Sequence, residues 1–213
     1  MKISNKELLV GCVIMAAGNS ERFGDNKLTT DFKGKPLIRH VLDIVPSEEL
    51  FHVCVVTQYD EIESLASDYG FLCVRNPRPE DGISLSIRLG TEALKDCCDA
   101  ILYMVSDQPM LKNTSVLNLL NTYREHPDNI VGASYNGKRG NPCIFPQKFF
   151  PELMKLTGDT GGSSVIRAHE DSLLLCEIGE KELMDVDTKE DHFFLEYGVP
   201  SNGSENLRSP SSL

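Results

Sequence analysis

Apolar runs and amphipathic stretches alternate along the chain. LVGCVIM, HVCVVT, FLCVRN, AILYMVSD and NIVGASYN are short, continuous apolar runs, the pattern of strands covered on both faces. Between them lie PLIRHVLDIV, DEIESLASDYG, SLSIRLGTEALKD and NTSVLNLLNTYREH, which read as helices. Pro36 suits the opening of the first helix, Gly70 ends the second, and Ser84 is placed to cap the third. The alternation predicts a mostly parallel sheet with helices on both faces. After Tyr135 the pattern changes. NGKRGNPCIFP carries turn signals around a short apolar segment, as in a hairpin or small β insertion. FFPELMKL reads as a short amphipathic helix, LLLCEI as a late strand and KEDHFFLEYG as a closing helix. VPSNGSENLRSPSSL is rich in Ser, Asn and Pro and is expected to form a disordered tail over residues 199–213, leaving one domain over residues 1–198.

Composition narrows the functional classes. With 213 residues, 40% hydrophobic and 25% charged, the chain can build the core of one α/β domain. No apolar run approaches the roughly 18 residues of a membrane span, and MKISNKELLVGCVIM lacks the layout of a signal peptide, so a cytoplasmic protein without a membrane partner is expected. The net charge is −11 and no basic patch is visible, which argues against nucleic acid as a partner. An acidic chain still binds anionic small molecules through local cations, because exposed charges beyond about 8 Å are largely screened. Seven cysteines include no C-x-x-C pair, and Cys12, Cys54, Cys73 and Cys176 sit in apolar runs, so reduced, structural thiols are expected.

Candidate chemistry starts in the loop after the first strand, VIMAAGNSERFGDNK. In an open α/β sheet, ligands bind beyond the carboxyl ends of strands. Gly18 and Gly24 are six positions apart with Lys27 three further on, which is neither a Walker A loop nor G-x-G-x-x-G. Ala16, Ala17 and Gly18 nevertheless let a ligand approach the backbone N–H groups, Arg22 offers a planar fork of donors, and Lys27 offers a compact charge. On composition alone, a plain strand–helix turn with solvated Arg22 and Lys27 fits as well. Asp107 follows the run Ala100 to Val105 and so lies at another strand's carboxyl end, placed to hold Mg²⁺, although a helix-capping aspartate is the other reading.

The stretch from Ala16 to Lys27, A-A-G-x-S-x-R-x-G-x-x-K, resembles the N-terminal signature of the MobA-like nucleotidyltransferases. Within that group the chain is most similar to the CTP:molybdopterin cytidylyltransferases. The guanylyltransferase branch typically reads L-A-G-G where this chain has Met15-Ala16-Ala17-Gly18, and Phe23 stands where methionine is often found. Further motifs follow in family order: N-P-x-x-x-x-G-x-S-x-S from Asn76, D-Q-P from Asp107, G-[HN]-P from Gly140, G-D-x-G from Gly158 and D-[IV]-D-T-x-E-D from Asp185. The resemblance spans about residues 10 to 197.

It implies a Rossmann-like, glycosyltransferase-A-type, three-layer α/β/α fold. It also implies nucleotide contacts at Ala16, Ala17, Gly18, Asn19, Ser20, Arg22, Gly24, Lys27, Asn76, Ser84, Ser86 and Asp107. The acceptor side would involve Gln108, Pro109, Gly140, Asn141, Pro142, Gly158, Asp159 and Gly161. Mg²⁺, with Mn²⁺ as an alternative, would sit on Asp107 and Asp187; Lys27, Arg22 and Asp107 would carry catalysis. The implied reaction moves CMP from CTP, or a nucleoside monophosphate from another NTP, to the phosphate of molybdopterin or molybdenum cofactor and releases pyrophosphate. A molybdenum hydroxylase would then receive the product. A guanylyltransferase, a sugar-phosphate nucleotidylyltransferase and a non-catalytic protein that binds and delivers molybdenum cofactor are the alternatives.

Overall fold

A computed structural model of the chain describes residues 8–19, 23 and 26–198. The tail expected over residues 199–213, and the loop positions Ser20, Arg22 and Gly24, lie outside the described residues. The apolar runs form β1 (Val10–Ala16) and, after a two-residue ladder of β2 (Asp31–Phe32) and β3 (Lys35–Pro36), a first helix α1 (Leu37–Leu42). Then follow β4 (Val53–Thr57), α2 (Asp60–Asp68), β5 (Leu72–Arg75), α3 (Ile83–Leu94), β6 (Ala100–Val105) and α4 (Asn113–Glu125). Beyond them lie β7 (Ile130–Tyr135), β8 (Lys138–Pro146), α5 (Phe150–Leu153), α6 (Ser163–Ala168), β9 (Leu173–Glu177) and α7 (Lys189–Tyr197). Among the described residues no helix is long and apolar enough to cross a membrane.

The main sheet runs β5-β4-β1-β6-β8-β7-β9. The strands β5, β4, β1 and β6 are parallel neighbours, β7 is parallel to β9, and β8 is antiparallel to both β6 and β7. The turn signals after Tyr135 thus correspond to the β7–β8 hairpin, the source of the antiparallel strand. The order also locates the candidate site. The chain steps outward from β1 to β4 and β5, then returns to the other side of β1 with β6, so the strand order reverses between β1 and β6. A crevice opens at such a reversal, beyond the strands' carboxyl ends.

The strand residues alternate between two layers, as a period of two requires. Cys12, Ile14 and Ala16 face a cluster with Leu37, Ile38 and Val41 of α1 and Val116, Leu119 and Leu120 of α4. Val13 and Met15 face the other side, with Ile87 and Leu94 of α3 and Leu153 of α5. Burying each such aliphatic side chain contributes about 1.5–3 kcal/mol. All seven cysteines are free thiols. Burial pushes the Cys54 thiol up to about 12, and burial likewise pushes the Cys143 thiol up to about 12, so both stay protonated and unreactive at neutral pH.

Local geometry corrects one expectation. Ser84 does not cap α3. The cap position is Gly82, at φ 82°, ψ −178°, which only glycine adopts readily. The Ser84 side chain is buried, and its hydroxyl has no hydrogen-bond partner among the described residues. Further along α3, Gly90 meets β1 so closely that a Cβ there would lie 2.4 Å from Val13 Cγ1. We expect Gly90→Ala to destabilise the protein by about 1–3 kcal/mol in denaturant melts, because overpacking outweighs the better helix propensity of alanine. A gain in stability would show that the two elements are not held this close.

Candidate active site

The loop after β1 is held by its neighbours before any ligand is considered. The backbone carbonyls of Ala16, Ala17 and Gly18 accept hydrogen bonds from Thr57, Gln58 and Tyr59 at 3.0, 2.9 and 2.8 Å. Phe23, the departure from the usual methionine, is buried with its ring edge-on to His192 of α7, centroids 6.1 Å apart. Asn26 then caps a single 3₁₀ turn by accepting from the Leu28 N–H at 3.2 Å, and the Leu28 side chain is buried in the core. Between these two anchors stands Lys27.

The Lys27 ammonium donates to Asp107 Oδ2 at 2.6 Å and to Asp187 Oδ1 at 3.2 Å. The side chains of Lys27, Asp107 and Asp187 are 12%, 18% and 39% exposed, so the group sits at the base of an opening rather than in sealed core. Burial opposes the charge on Lys27, but the two carboxylates outweigh it and hold its pKa above the ordinary lysine value.

Asp107 is placed by β6, which ends two residues earlier. Asp187 is placed by an irregular segment that is tied down at several points. Glu182, which is buried, accepts from the Ser115 hydroxyl at 2.6 Å and from the Lys112 N–H at 3.1 Å, joining this segment to the start of α4. Gln108 Nε2 donates to Leu183 O at 3.3 Å and to Asp185 Oδ1 at 2.9 Å. The Val186 N–H donates to Asp107 O at 2.9 Å, which sets the backbones of the two acidic segments directly together. Val186 itself is fully buried, while Asp187 turns to Lys27. Thr188 and Asp191 form a capping box at the start of α7, with Asp191 N–H to Thr188 Oγ1 at 3.1 Å and Thr188 N–H to Asp191 Oδ2 at 2.8 Å.

A cleft of about 640 Å³ opens above this group. Of the residues singled out from the sequence, Ala17, Gly18, Asn19, Lys27, Ser86, Asp107, Asp159 and Asp187 line it together. Ala16 ends β1 beneath it. Asn76 is buried behind Ser86 and donates to the Ser86 hydroxyl at 3.1 Å. Gln108, Pro109, Gly140, Asn141 and Pro142 are buried and do not line the cleft. A Cβ at Gly140 would lie 2.9 Å from Leu183 Cδ2, so its small size serves the close approach of β8 to the segment that carries Asp187. Gly158 supports Gly82: a Cβ at Gly82 would lie 2.5 Å from the Gly158 carbonyl, and the Ser84 N–H donates to Gly158 O at 3.3 Å. Gly161 is buried beside that loop. Gly82, the glycine of the N-P-x-x-x-x-G motif, also lines the cleft. Sequence reasoning missed Pro79, Glu80 and Ile83 around it, and Val105 and Ser106; the motif spanning Asn76 to Gly82 was the signal that pointed to the first two.

Two carboxylates that already share one positive centre form a hard-oxygen donor pair suited to a divalent cation whose remaining ligands are water and phosphate oxygens. Among the described residues no group of three or more His, Cys, Asp or Glu side chains could hold a metal by itself.

Residues 12–173 match the family described as "MobA-like NTP transferase domain". The purine catabolism protein PucB of Bacillus subtilis is 28% identical over 199 residues, 86% of this chain and 94% of PucB. The "Probable molybdenum cofactor guanylyltransferase" of Aquifex aeolicus is 30% identical over 118 residues, 54% of each chain. In structure, Rv0371c of Mycobacterium tuberculosis superposes with a TM-score of 0.75 at 21% identity, covering 90% of this chain and 98% of that one. A second crystal structure of Rv0371c, in complex with manganese, gives a TM-score of 0.72 at 18% identity, over 90% of this chain and 100% of that one.

The raised pKa of Lys27 carries a stability signature. Its contribution is fully present below the ordinary lysine value of 10.5 and is lost as pH rises through the higher value in the folded state. Lys27→Met is expected to lower stability by about 1–3 kcal/mol at neutral pH, with a gap that stays level and then shrinks in strongly alkaline solution. Paired denaturation curves across that range measure it. A gap that does not change with alkalinity would contradict the ion pairing.

Proposed function

This chain belongs to the MobA-like NTP transferase domain family, and from that premise we propose that its cleft transfers a nucleoside monophosphate, CMP in the first instance, from a nucleoside triphosphate to the phosphate of a molybdopterin-type acceptor. The observation that carries this reading is the convergence of Lys27, Asp107 and Asp187 beneath the small-residue loop, at the reversal between β1 and β6. The chain is a nucleotidyltransferase by family; the base and the acceptor are the proposed part.

In the proposed reaction, a phosphate oxygen of the acceptor attacks the α-phosphorus, the bond from the α-phosphorus to the α,β-bridging oxygen breaks, and pyrophosphate leaves. An acceptor phosphate is already ionised near neutral pH, so the protein has no proton to remove. Its work is alignment and charge compensation. Ala17, Gly18 and Asn19 offer backbone N–H groups along one side of the cleft. Lys27 bridges the carboxylate pair in the free protein, offsetting part of its charge, and, with triphosphate present, donates to its oxygens. Arg22 is assigned the same task from the sequence. Ser86 has its hydroxyl oxygen engaged by Asn76, leaving its proton free for the base or sugar. Asp159, which lines the cleft, is assigned to the acceptor side with Gly158 and Gly161; Gln108, Pro109, Gly140, Asn141 and Pro142 are buried and carry the same assignment from the sequence.

Asp107 and Asp187 would hold Mg²⁺ or Mn²⁺; a structural relative has been crystallised with manganese. Such an ion, when bound, supplies positive charge against the phosphate oxygens.

The spelling Ala16-Ala17-Gly18 favours cytosine. A second reading, guanylyl transfer, is favoured by the printed function of the Aquifex aeolicus relative. A pocket built for one base leaves polar groups unpaired with the other, so discrimination is expected to be strong. Incubation with each labelled triphosphate, molybdopterin and Mg²⁺ is expected to give a dinucleotide and pyrophosphate with CTP. Product from GTP alone would replace the cytidylyl assignment by the guanylyl one, and tight pterin binding without pyrophosphate release would reject the transfer reaction. Asp107→Asn and Lys27→Ala are each expected to lower turnover about 10²–10³-fold while the protein remains folded; wild-type rates in either would remove the mechanism.

A further inference from the structure

Three consecutive side chains at the end of β4 hold three consecutive carbonyls of the loop after β1. Thr57 Oγ1 donates to Ala16 O at 3.0 Å, Gln58 Nε2 to Ala17 O at 2.9 Å and Tyr59 OH to Gly18 O at 2.8 Å. The Gln58 amide also donates to Asn19 Oδ1 at 2.9 Å. The Tyr59 N–H donates back to Thr57 Oγ1 at 3.1 Å, and Gln58 Nε2 donates to the Tyr59 hydroxyl at 3.3 Å, so Tyr59 braces both of its neighbours. The backbone ladder between β1 and β4 ends at the pair Ala16 and Thr57. Beyond that pair, side chains continue what the sheet no longer does.

The latches determine where the loop's donors point. In a trans peptide the C=O and the following N–H are directed oppositely. Three carbonyls turned towards β4 therefore turn the N–H groups of Ala17, Gly18 and Asn19 away from it. These three residues line the cleft that contains Lys27 and Asp107. Adjacent N–H groups with a common direction make a concave seat for an anion. A strand could not produce this arrangement, since its successive carbonyls alternate in direction.

We propose that Thr57, Gln58 and Tyr59 are positioning residues that set the loop's N–H groups to receive the triphosphate before it binds. This rests on the nucleotidyltransferase reading of the cleft. Thr57 is buried, and none of the three lines the cleft, so they act through the backbone of residues 16–19 and not by touching substrate. Preorganised donors need no reordering when charge arrives, so loss of a latch falls on triphosphate affinity and leaves the acceptor side untouched.

Two near-isosteric variants remove donors and keep volume: Tyr59→Phe and Gln58→Met. Calorimetric titration of wild type and variants with CTP, GTP and inorganic tripolyphosphate reads the seat directly, beside thermal melting of the free proteins and the KM for triphosphate and for acceptor. Each variant is expected to bind tripolyphosphate and its preferred nucleotide about fivefold more weakly, the effect of one orienting hydrogen bond. The KM for triphosphate rises correspondingly, the KM for acceptor stays constant, and the melting temperature is unchanged. Unaltered affinity in both variants would overturn the proposal. So would affinity that falls only in step with melting temperature, since that is a general folding role. Wild-type protein that binds none of the three polyphosphates would overturn the nucleotidyltransferase reading, and the proposal with it.

Discussion

The ammonium of Lys27 joins parts of the chain that are 80 and 160 positions away from it, through Asp107 and Asp187. Two carboxylates this close repel unless a cation stands between them, and a lysine this buried loses its charge unless carboxylates face it. Each of the three therefore needs the others. The requirement holds the first loop, the end of β6 and the segment before α7 together around one opening. It also keeps the three side chains at the edge of solvent.

The regular elements bring these groups near, and irregular backbone brings them into contact. β1 and β6 are adjacent, so their carboxyl-terminal loops begin as neighbours. The segment carrying Asp187 has no sheet ladder to hold it. Buried polar side chains do that work: Glu182 at the start of α4 and Gln108 against Leu183 and Asp185. Burial raises the Glu182 carboxyl pKa, but its donors from Ser115, Lys112 and Gly179 outweigh that effect and hold it below the ordinary range. The site is thus built on the carboxyl ends of interior strands, with a second layer of satisfied polar contacts behind it.

Most of the frame was legible as pattern. Continuous apolar runs read as covered strands because both faces of the sheet are packed, and the changed period after Tyr135 marked the β7–β8 hairpin. The same reasoning missed the two-residue pair of β2 and β3, too short to impose any period. It gave Ser84 a capping role that Gly82 fills, because the close approach of Gly158 is a long-range contact with no local signal. Lys27, Asp107 and Asp187 were legible as motif residues, Asp107 just past the carboxyl end of a strand. Thr57, Gln58 and Tyr59 were not, since their partners are carbonyls, which carry no mark in a sequence. Gln108 and Gly140, expected on the acceptor side, are buried outside the cleft lining, where a buried amide and small size serve the segment that bears Asp187.

The proposed reaction requires one triphosphate to be received between the first loop, Lys27 and the carboxylate pair. A crystal structure of the protein with CTP and Mg²⁺ decides this. Phosphate oxygens are expected against the N–H groups of Ala17 to Asn19 and the Lys27 ammonium, with the ion on Asp107 and Asp187. Nucleotide bound elsewhere, with Lys27 still closed on both carboxylates, would contradict it.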